Sequence, residues 1–215
     1  MDKKKMTGKL LTKLQEHNGW GCSHSVRVSS YAVGIGKYLG LNEDSIDELF
    51  TAALLHDIGK LFIPARLLDK TSVLTKAEFQ LIKCHIWCGY LLLKVLGYSE
   101  EICKAVWNHH ERYDGKGYRK KKKAGLLAEI ICVADAYDAM NYSRPYRKGM
   151  DRAEIYCAME TGSGKQFAPA VWQAMAHLLF QEKDFTQKTK AMLETEIEEN
   201  AEYLLSGNVY SSGHA

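Results

Sequence analysis

The chain has 215 residues, 46% of them hydrophobic and 26% charged, ordinary values for one globular unit able to bury a core without disulfide or metal staples. A net charge of +3 excludes the global field that recruits nucleic acid, so any anionic ligand has to be met by a local cluster of bases. No apolar run approaches the ~18 residues that span a bilayer, and the opening MDKKKMTGKLLTKLQE lacks the apolar stretch of a signal peptide. A cytoplasmic protein with no membrane segment is the expectation.

Only three prolines and few β-branched runs favour helices, and the apolar spacing predicts an all-α chain. Residues 1–14 read as a basic N-terminal segment and 15–181 as a single helical domain. Val28, Tyr31, Ala32, Ile35 and Leu39 line the inner face of a first helix that ends near Gly40. Ile46, Leu49, Phe50, Ala53 and Leu54 do the same for a second, stopped at Gly59. Thr75 and Glu78 form the capping-box pattern of a third, which carries Phe79, Ile82, Ile86 and Leu93 inward. Ile102 and Val106 mark a fourth that runs to His109 and His110. A glycine-rich, basic loop follows, then a fifth helix on Leu127, Ile130, Ile131 and Ala134. Asp151 with Glu154 caps a sixth, and Pro169 opens a seventh that carries Val171, Met175 and Leu178.

Residues 182–215 are expected to form an additional C-terminal helix and a frayed tail. In the helix, Leu193, Ile197, Ala201 and Leu204 share one face opposite a mostly charged one. That face suits packing on the same domain, or contact with a second copy of the chain (a homodimer) or a regulatory protein partner. The six cysteines, at 22, 84, 88, 103, 132 and 157, contain no CxxC pair and read as reduced thiols. Cys84 and Cys88 flank His85 at i,i+4, but the histidines offer a fuller ligand set.

Five of the eight histidines, His24, His56, His85, His109 and His110, lie on or at the ends of predicted helices, mostly on their inward faces. His24 is four residues before Val28, His85 three after Ile82, and His109 and His110 three and four after Val106. Asp57 follows Ala53 by four, and Asp135 follows Ile131 by four. Any one of these alone would be an ordinary hydrogen-bonded core residue. Five imidazoles and two carboxylates aimed at one core are costly to bury unpaired, and metal ions remove that cost by taking their lone pairs. Seven N and O donors exceed what one ion needs and suit two. A carboxylate beside a histidine, as in His56-Asp57, can bridge them. Such a pair, ~3.5–4 Å apart, activates water and stabilises in-line displacement at phosphorus.

The string His56-Asp57-Ile58-Gly59-Lys60 resembles the signature of the HD phosphohydrolases with its trailing lysine. The string from His109-His110-Glu111 through Asp114-Gly115-Lys116-Gly117-Tyr118 resembles the longer HD-GYP motif, HHExxDGxGYP. The other parts stand in matching order: His24 with Arg27-Val28, His85 with Gly89, Ala134-Asp135-Ala136-Tyr137-Asp138-Ala139, and Arg144-Pro145-Tyr146-Arg147. The resemblance runs from about Trp20 to Phe180. It implies a single HD-superfamily helical domain and a bacterial signalling phosphodiesterase. The reaction it implies is hydrolysis of a cyclic dinucleotide, most commonly cyclic di-GMP, to linear pGpG and in some members on to GMP.

By the same resemblance, His24, His56, Asp57, His85, His109, His110 and Asp135 are the metal ligands. Asp57 bridges two divalent transition-metal ions, for which iron and manganese both suit imidazole and carboxylate donors. Lys60 is implied to meet a phosphate oxygen or the nucleophile, making Asp57 and Lys60 the catalytic pair. Tyr118 is implied to stack on a base, and Arg144 and Arg147 to hold the second phosphate or a guanine edge. Asp138 orients a ligand or Arg144. Gly89 lets a neighbouring helix approach His85 closely.

The chain departs from the family pattern in four places. Arg119 replaces the motif proline, so the loop loses a fixed φ and a more mobile rim is expected. Trp20 stands where some members carry a glutamate for a third metal, so two ions are expected. Phe167-Ala168-Pro169 stands for FDP, losing an N-cap. His85-Ile86 replaces a histidine-proline. The run Arg119-Lys120-Lys121-Lys122-Lys123 reads as a solvated loop or as a field that steers an anion. Its lack of interleaved aromatics disfavours nucleic acid as a partner. Two other readings stay open: a general HD phosphohydrolase acting on linear nucleotides or phosphate esters, and a non-catalytic sensor of cyclic dinucleotides.

Overall fold

The computed structural model of the chain describes residues 3–17, 19, 21–120, 124–142 and 149–180. In order these form α1 (Lys3–His17), α2 (Gly21–Tyr38), α3 (Glu43–Leu55), a 3₁₀ turn (Ile58–Phe62) and the short α4 (Ala65–Leu68). Then follow α5 (Lys76–Val95), α6 (Glu100–Asn108), α7 (Leu126–Asn141), α8 (Arg152–Gly162) and α9 (Pro169–Phe180). Among the described residues the only β-type pairing is an isolated bridge between Ser163 and Phe167, so the chain is all-α as its apolar period predicts. No described helix is long and apolar enough to cross a membrane.

The termini of these helices are written locally. Thr75 accepts from the Glu78 N–H at 3.2 Å while Glu78 accepts from the Thr75 N–H at 2.8 Å, closing the capping box of α5. Asp151 and Glu154 do the same for α8. Asn42 caps α3 and Ser99 caps α6 through their side chains. The central helix is α2, which packs on α1, α3, α7 and α9, while α5 packs on the 3₁₀ turn and α6. Val28, Ile35, Leu49, Val106, Ile130 and Ile131 meet in one fully buried core.

Three expectations change. Of the basic segment 1–14, residues 3–14 lie within α1, whose Leu10, Leu11 and Leu14 are buried in the common core, so packing extends N-terminal of residue 15. The second helix ends at Leu55, before Gly59, which sits inside the 3₁₀ turn. A Cβ at Gly59 would lie 1.9 Å from the His85 carbonyl oxygen and 2.5 Å from the Gly89 nitrogen. Glycine is therefore needed there for contact between the turn and α5, and Gly89 supplies the other half of that contact. Phe79 faces outward, 41% exposed, although Ile86 and Leu93 on the same helix are buried. The expected helix in 182–215 lies outside the described residues.

Candidate metal centre

Two helices end at the site. α3 stops at Leu55, placing His56 at its C-cap and Asp57 just beyond; α6 stops at Asn108, placing His109 at its C-cap and His110 just beyond. Helix C-termini present partly negative carbonyl ends, which favour a cation nearby. His24 from α2, His85 from α5 and Asp135 from α7 complete the set. All seven side chains expected from the sequence come together, in two groups. Asp57, His85, His109 and His110 have donor atoms within 4.8 Å of one another, as do His24, His56 and Asp135.

Three of the imidazoles are held in the same way. Nδ1–H of His56 donates to the Ala53 carbonyl at 2.7 Å, that of His85 to Ile82 at 2.7 Å and that of His109 to Val106 at 2.6 Å. Each partner is the carbonyl three residues earlier, so the helix itself fixes ring orientation and tautomer. Each Nε2 then carries a lone pair. These three Nε2 atoms are buried and have no hydrogen-bond partner, a costly arrangement unless something else takes the lone pairs. Burial holds the pKa of His85 below its ordinary value and that of His109 well below, and it lowers His110 to about 3. These shifts favour the neutral, lone-pair-bearing form of the His85, His109 and His110 rings.

Asp57 stands between the groups. Its Oδ1 is 3.4 Å from His85 Nε2, while its Oδ2 is 3.4 Å from His56 Nε2 and 3.8 Å from His24 Nε2. Lys60, one turn along, bonds the same Oδ2. Burial alone would raise the Asp57 pKa, but the Lys60 ammonium and the His56 and His85 rings outweigh it and hold the carboxylate well below its usual range. His24 differs from the other rings. Its Nδ1 bonds Asp138 Oδ2 at 2.6 Å and its Nε2 faces Asp135 Oδ1 at 3.2 Å. Burial opposes a charged ring there, yet the two carboxylates prevail and raise the pKa to about 9. Arg27 grips Asp138 through bonds of 2.7 and 3.0 Å and lies 3.7 Å over the Tyr142 ring, so the carboxylate that orients His24 is itself oriented. Orphaned Nε2 atoms, two anionic carboxylates and two helix C-termini together fit divalent cations.

The rim is built from the loop after α6. Tyr118 lies 4.6 Å from the His110 ring, and burial pushes its phenol up to about 12. A Cβ at Gly117 would come within 2.5 Å of Glu111 Cα, so this loop folds back on its own start. Arg119 does not leave the loop untied. Its N–H donates to Glu111 Oε1 at 2.7 Å, its Nη1 to Asn108 Oδ1 at 2.7 Å, and its guanidinium lies 3.7 Å over the Trp107 ring. Trp20, Lys121 to Lys123, Arg144 and Arg147 lie outside the described residues.

A protein-family model described as the HD domain matches residues 10–171. The chain belongs to the HD domain family. Within that family it is 36% identical, over 171 residues, to a cyclic di-GMP phosphodiesterase of Thermotoga maritima, covering 76% of this chain and 45% of that protein. It is 33% identical, over 135 residues, to a 3'3'-cGAMP-specific phosphodiesterase of Vibrio cholerae, covering 61% of this chain and 31% of that protein. The chain thus spans less than half the length of these curated relatives. Among solved structures, Bd1817, an HDG"Y"P protein from Bdellovibrio bacteriovorus, superposes with a TM-score of 0.63 at 20% identity, covering 83% of this chain and 62% of that one. The HD domain of the L. monocytogenes phosphodiesterase PgpH, in complex with cyclic-di-AMP, superposes with a TM-score of 0.56 at 15% identity, covering 94% and 99%. At those identities the two structures speak to the HD fold.

Sequence reasoning missed several residues that build this HD site. Arg27 and Glu111 fall within the motifs but carry no expected role, and Asn108 carries none, although each makes a side-chain hydrogen bond of 2.7 Å at the site or its rim. The available signal was burial of polar groups at helix ends, which becomes visible only when their partners are in place.

Proposed function

We propose that this HD domain is a metal-dependent phosphodiesterase that hydrolyses a cyclic dinucleotide, cyclic di-GMP foremost, to the linear product pGpG. The observation that carries this reading is the trio of buried, orphaned Nε2 atoms facing a carboxylate that offers one oxygen to each ligand group. The relatives named as cyclic di-GMP phosphodiesterases support the choice of substrate. His24, His56, Asp57 and Asp135 would hold one divalent ion, and Asp57, His85, His109 and His110 the other, with iron or manganese suited to these donors. Bound there, the ions supply an acidified water and neutralise charge that builds on the phosphate.

The protein's own groups do the rest. The main-chain carbonyls lock the imidazole tautomers, so the donors need no reorganisation when the ligand arrives. Asp138, held by Arg27, fixes His24. Lys60, which pairs with Asp57, would meet a non-bridging phosphate oxygen, and Tyr118, beside the His110 ring, would stack on a base. Arg144 and Arg147 are proposed to hold the second phosphate or a guanine edge.

The test is metal analysis of anaerobically purified protein, followed by product analysis with cyclic di-GMP and 3'3'-cGAMP. About two ions per chain and linear product are expected. Asp57→Asn should lower metal content and abolish turnover. Undiminished turnover after metal stripping, with chelator present, would refute the reading. Binding without turnover in the loaded protein would make the domain a sensor instead.

A further inference from the structure

Basic side chains near the site are mostly neutralised by carboxylates. Lys60 is paired with Asp57, Arg27 with Asp138, Arg112 with Asp114 at 2.8 Å, and Lys70 with Glu78 at 2.7 Å. Lys83 on α5 is different. Among the described residues it makes no ion pair, and its ammonium lies instead over two ring faces, 4.5 Å from the centre of Tyr118 and 5.3 Å from that of Phe79. The two rings meet edge to face at 6.0 Å. Tyr118 in turn lies 4.6 Å from the His110 ring. A continuous path of rings therefore leads from the metal centre outward to Phe79, which is 41% exposed.

A lysine four residues after a phenylalanine on a helix is commonly just a surface pair. Here the third member, Tyr118, comes from the loop after α6, so two separate elements bring the three groups together. The chemistry is specific as well. Aromatic faces hold an ammonium without cancelling its charge, as a carboxylate would, and leave it free to turn to an incoming anion. The rings it covers are the kind on which nucleobases stack, whatever the base.

We propose that Phe79, Lys83 and Tyr118 form a recognition wall for the cyclic dinucleotide, the rings receiving one nucleobase and Lys83 pairing with the phosphate that is not being cleaved. This rests on the phosphodiesterase reading and extends it to residues on α5. Phe79 and Lys83 act on capture; the bond being broken is handled at Asp57 and Lys60.

The experiment uses metal-loaded protein with two readouts: steady-state kinetics on cyclic di-GMP, and equilibrium binding of a phosphorothioate cyclic dinucleotide that resists hydrolysis. Lys83→Gln and Phe79→Ala should each raise KM and the analogue's Kd about tenfold, the scale of one lost charge-assisted or stacking contact. kcat should change less than about twofold. Lys83→Arg and Phe79→Tyr should keep most of the parent affinity, and the Lys83→Gln defect should shrink as salt screens the charge. Metal content and thermal midpoint should stay at parent values. Unchanged KM and Kd in both Lys83→Gln and Phe79→Ala, with a parent that hydrolyses the substrate, overturn the wall alone. Loss of kcat together with metal overturns it as well, making α5 here a structural support. A parent that neither binds nor hydrolyses cyclic dinucleotides overturns the phosphodiesterase reading, and the wall with it.

Discussion

A proline at position 119 would fix φ but donate nothing; the arginine found there does the opposite. Its N–H and guanidinium tie the loop to Glu111, Asn108 and Trp107, and both Glu111 and Asn108 are only 3% exposed. A looser rim follows from the sequence because φ restriction can be read from residue type, whereas these contacts depend on where α6 ends. Arg119→Pro restores the family residue and removes two hydrogen bonds and the cation–ring contact. Hydrogen bonds to charged groups contribute about 1.5–3 kcal/mol each and are partly replaced by water at an exposed rim. The variant should lose about 1–3 kcal/mol in urea unfolding, and the amides of 115–120 should exchange faster with solvent. Parent-like stability and protection would show that the ties contribute nothing. The clustering of the seven donors, by contrast, is legible residue by residue: six stand one turn from an inward apolar residue and so share its face, and His56 adjoins Asp57. That spacing could not select Lys83, whose proposed role depends on a ring from a loop distant in sequence.

At the scale of elements, polar signals proved the most readable. Thr75 with Glu78 and Asp151 with Glu154 predict two helix starts, and both capping boxes are present. The failures were of hydrophobic phase. In α1 the lysines at 3, 4, 5, 9 and 13 mask a stripe of Thr7, Leu10, Leu11 and Leu14 that is buried. Phe79 sits in phase with an inward face near the N-terminal end of α5, yet it is 41% exposed and meets the Tyr118 ring edge to face. Gly59 looked like a helix stop, but the close approach of Gly89 explains it better. The cap of α5 carries a pH prediction. Lys70 donates to both Glu78 oxygens at 2.7 Å and, with the capping N–H, lowers the Glu78 pKa from 4.5 to about 2. A carboxylate depressed on folding adds stability above its unfolded pKa and loses it as pH falls through the folded one. The contribution is therefore complete above about pH 4.5 and gone near pH 2. Glu78→Gln can still cap but has no charge for Lys70. Its thermal midpoint should lie below the parent's at pH 7, and the two curves should converge as pH approaches 2. A constant gap across that range would show that Lys70 and the Glu78 charge are irrelevant to α5.

At the scale of the molecule, the seven donors come from five parts of the chain: α2, the end of α3, α5, the end of α6, and α7. No short stretch of unfolded chain can offer that set, so a cation that binds it binds the folded state. Ligand present at 100 to 1,000 times its dissociation constant stabilises the folded form by about 2.7 to 4.1 kcal/mol. In a chain of this size each kcal/mol moves the midpoint by roughly 2–4 °C. The folded protein without cations also keeps three buried Nε2 atoms unsatisfied, which adds to the difference. Stripping the ions should therefore lower the thermal midpoint by roughly 5–15 °C, the range these two scales give together. Returning manganese or iron(II) should restore it. Unfolded histidines and cysteines that also bind metal would reduce the shift without reversing its sign. The control is Asp57→Asn, in which one carboxylate shared by both ligand groups is lost and the chelator should have little left to remove. A parent whose midpoint ignores chelator and added metal alike would mean that the helices hold these histidines together by packing alone, and that the seven donors are not a metal site.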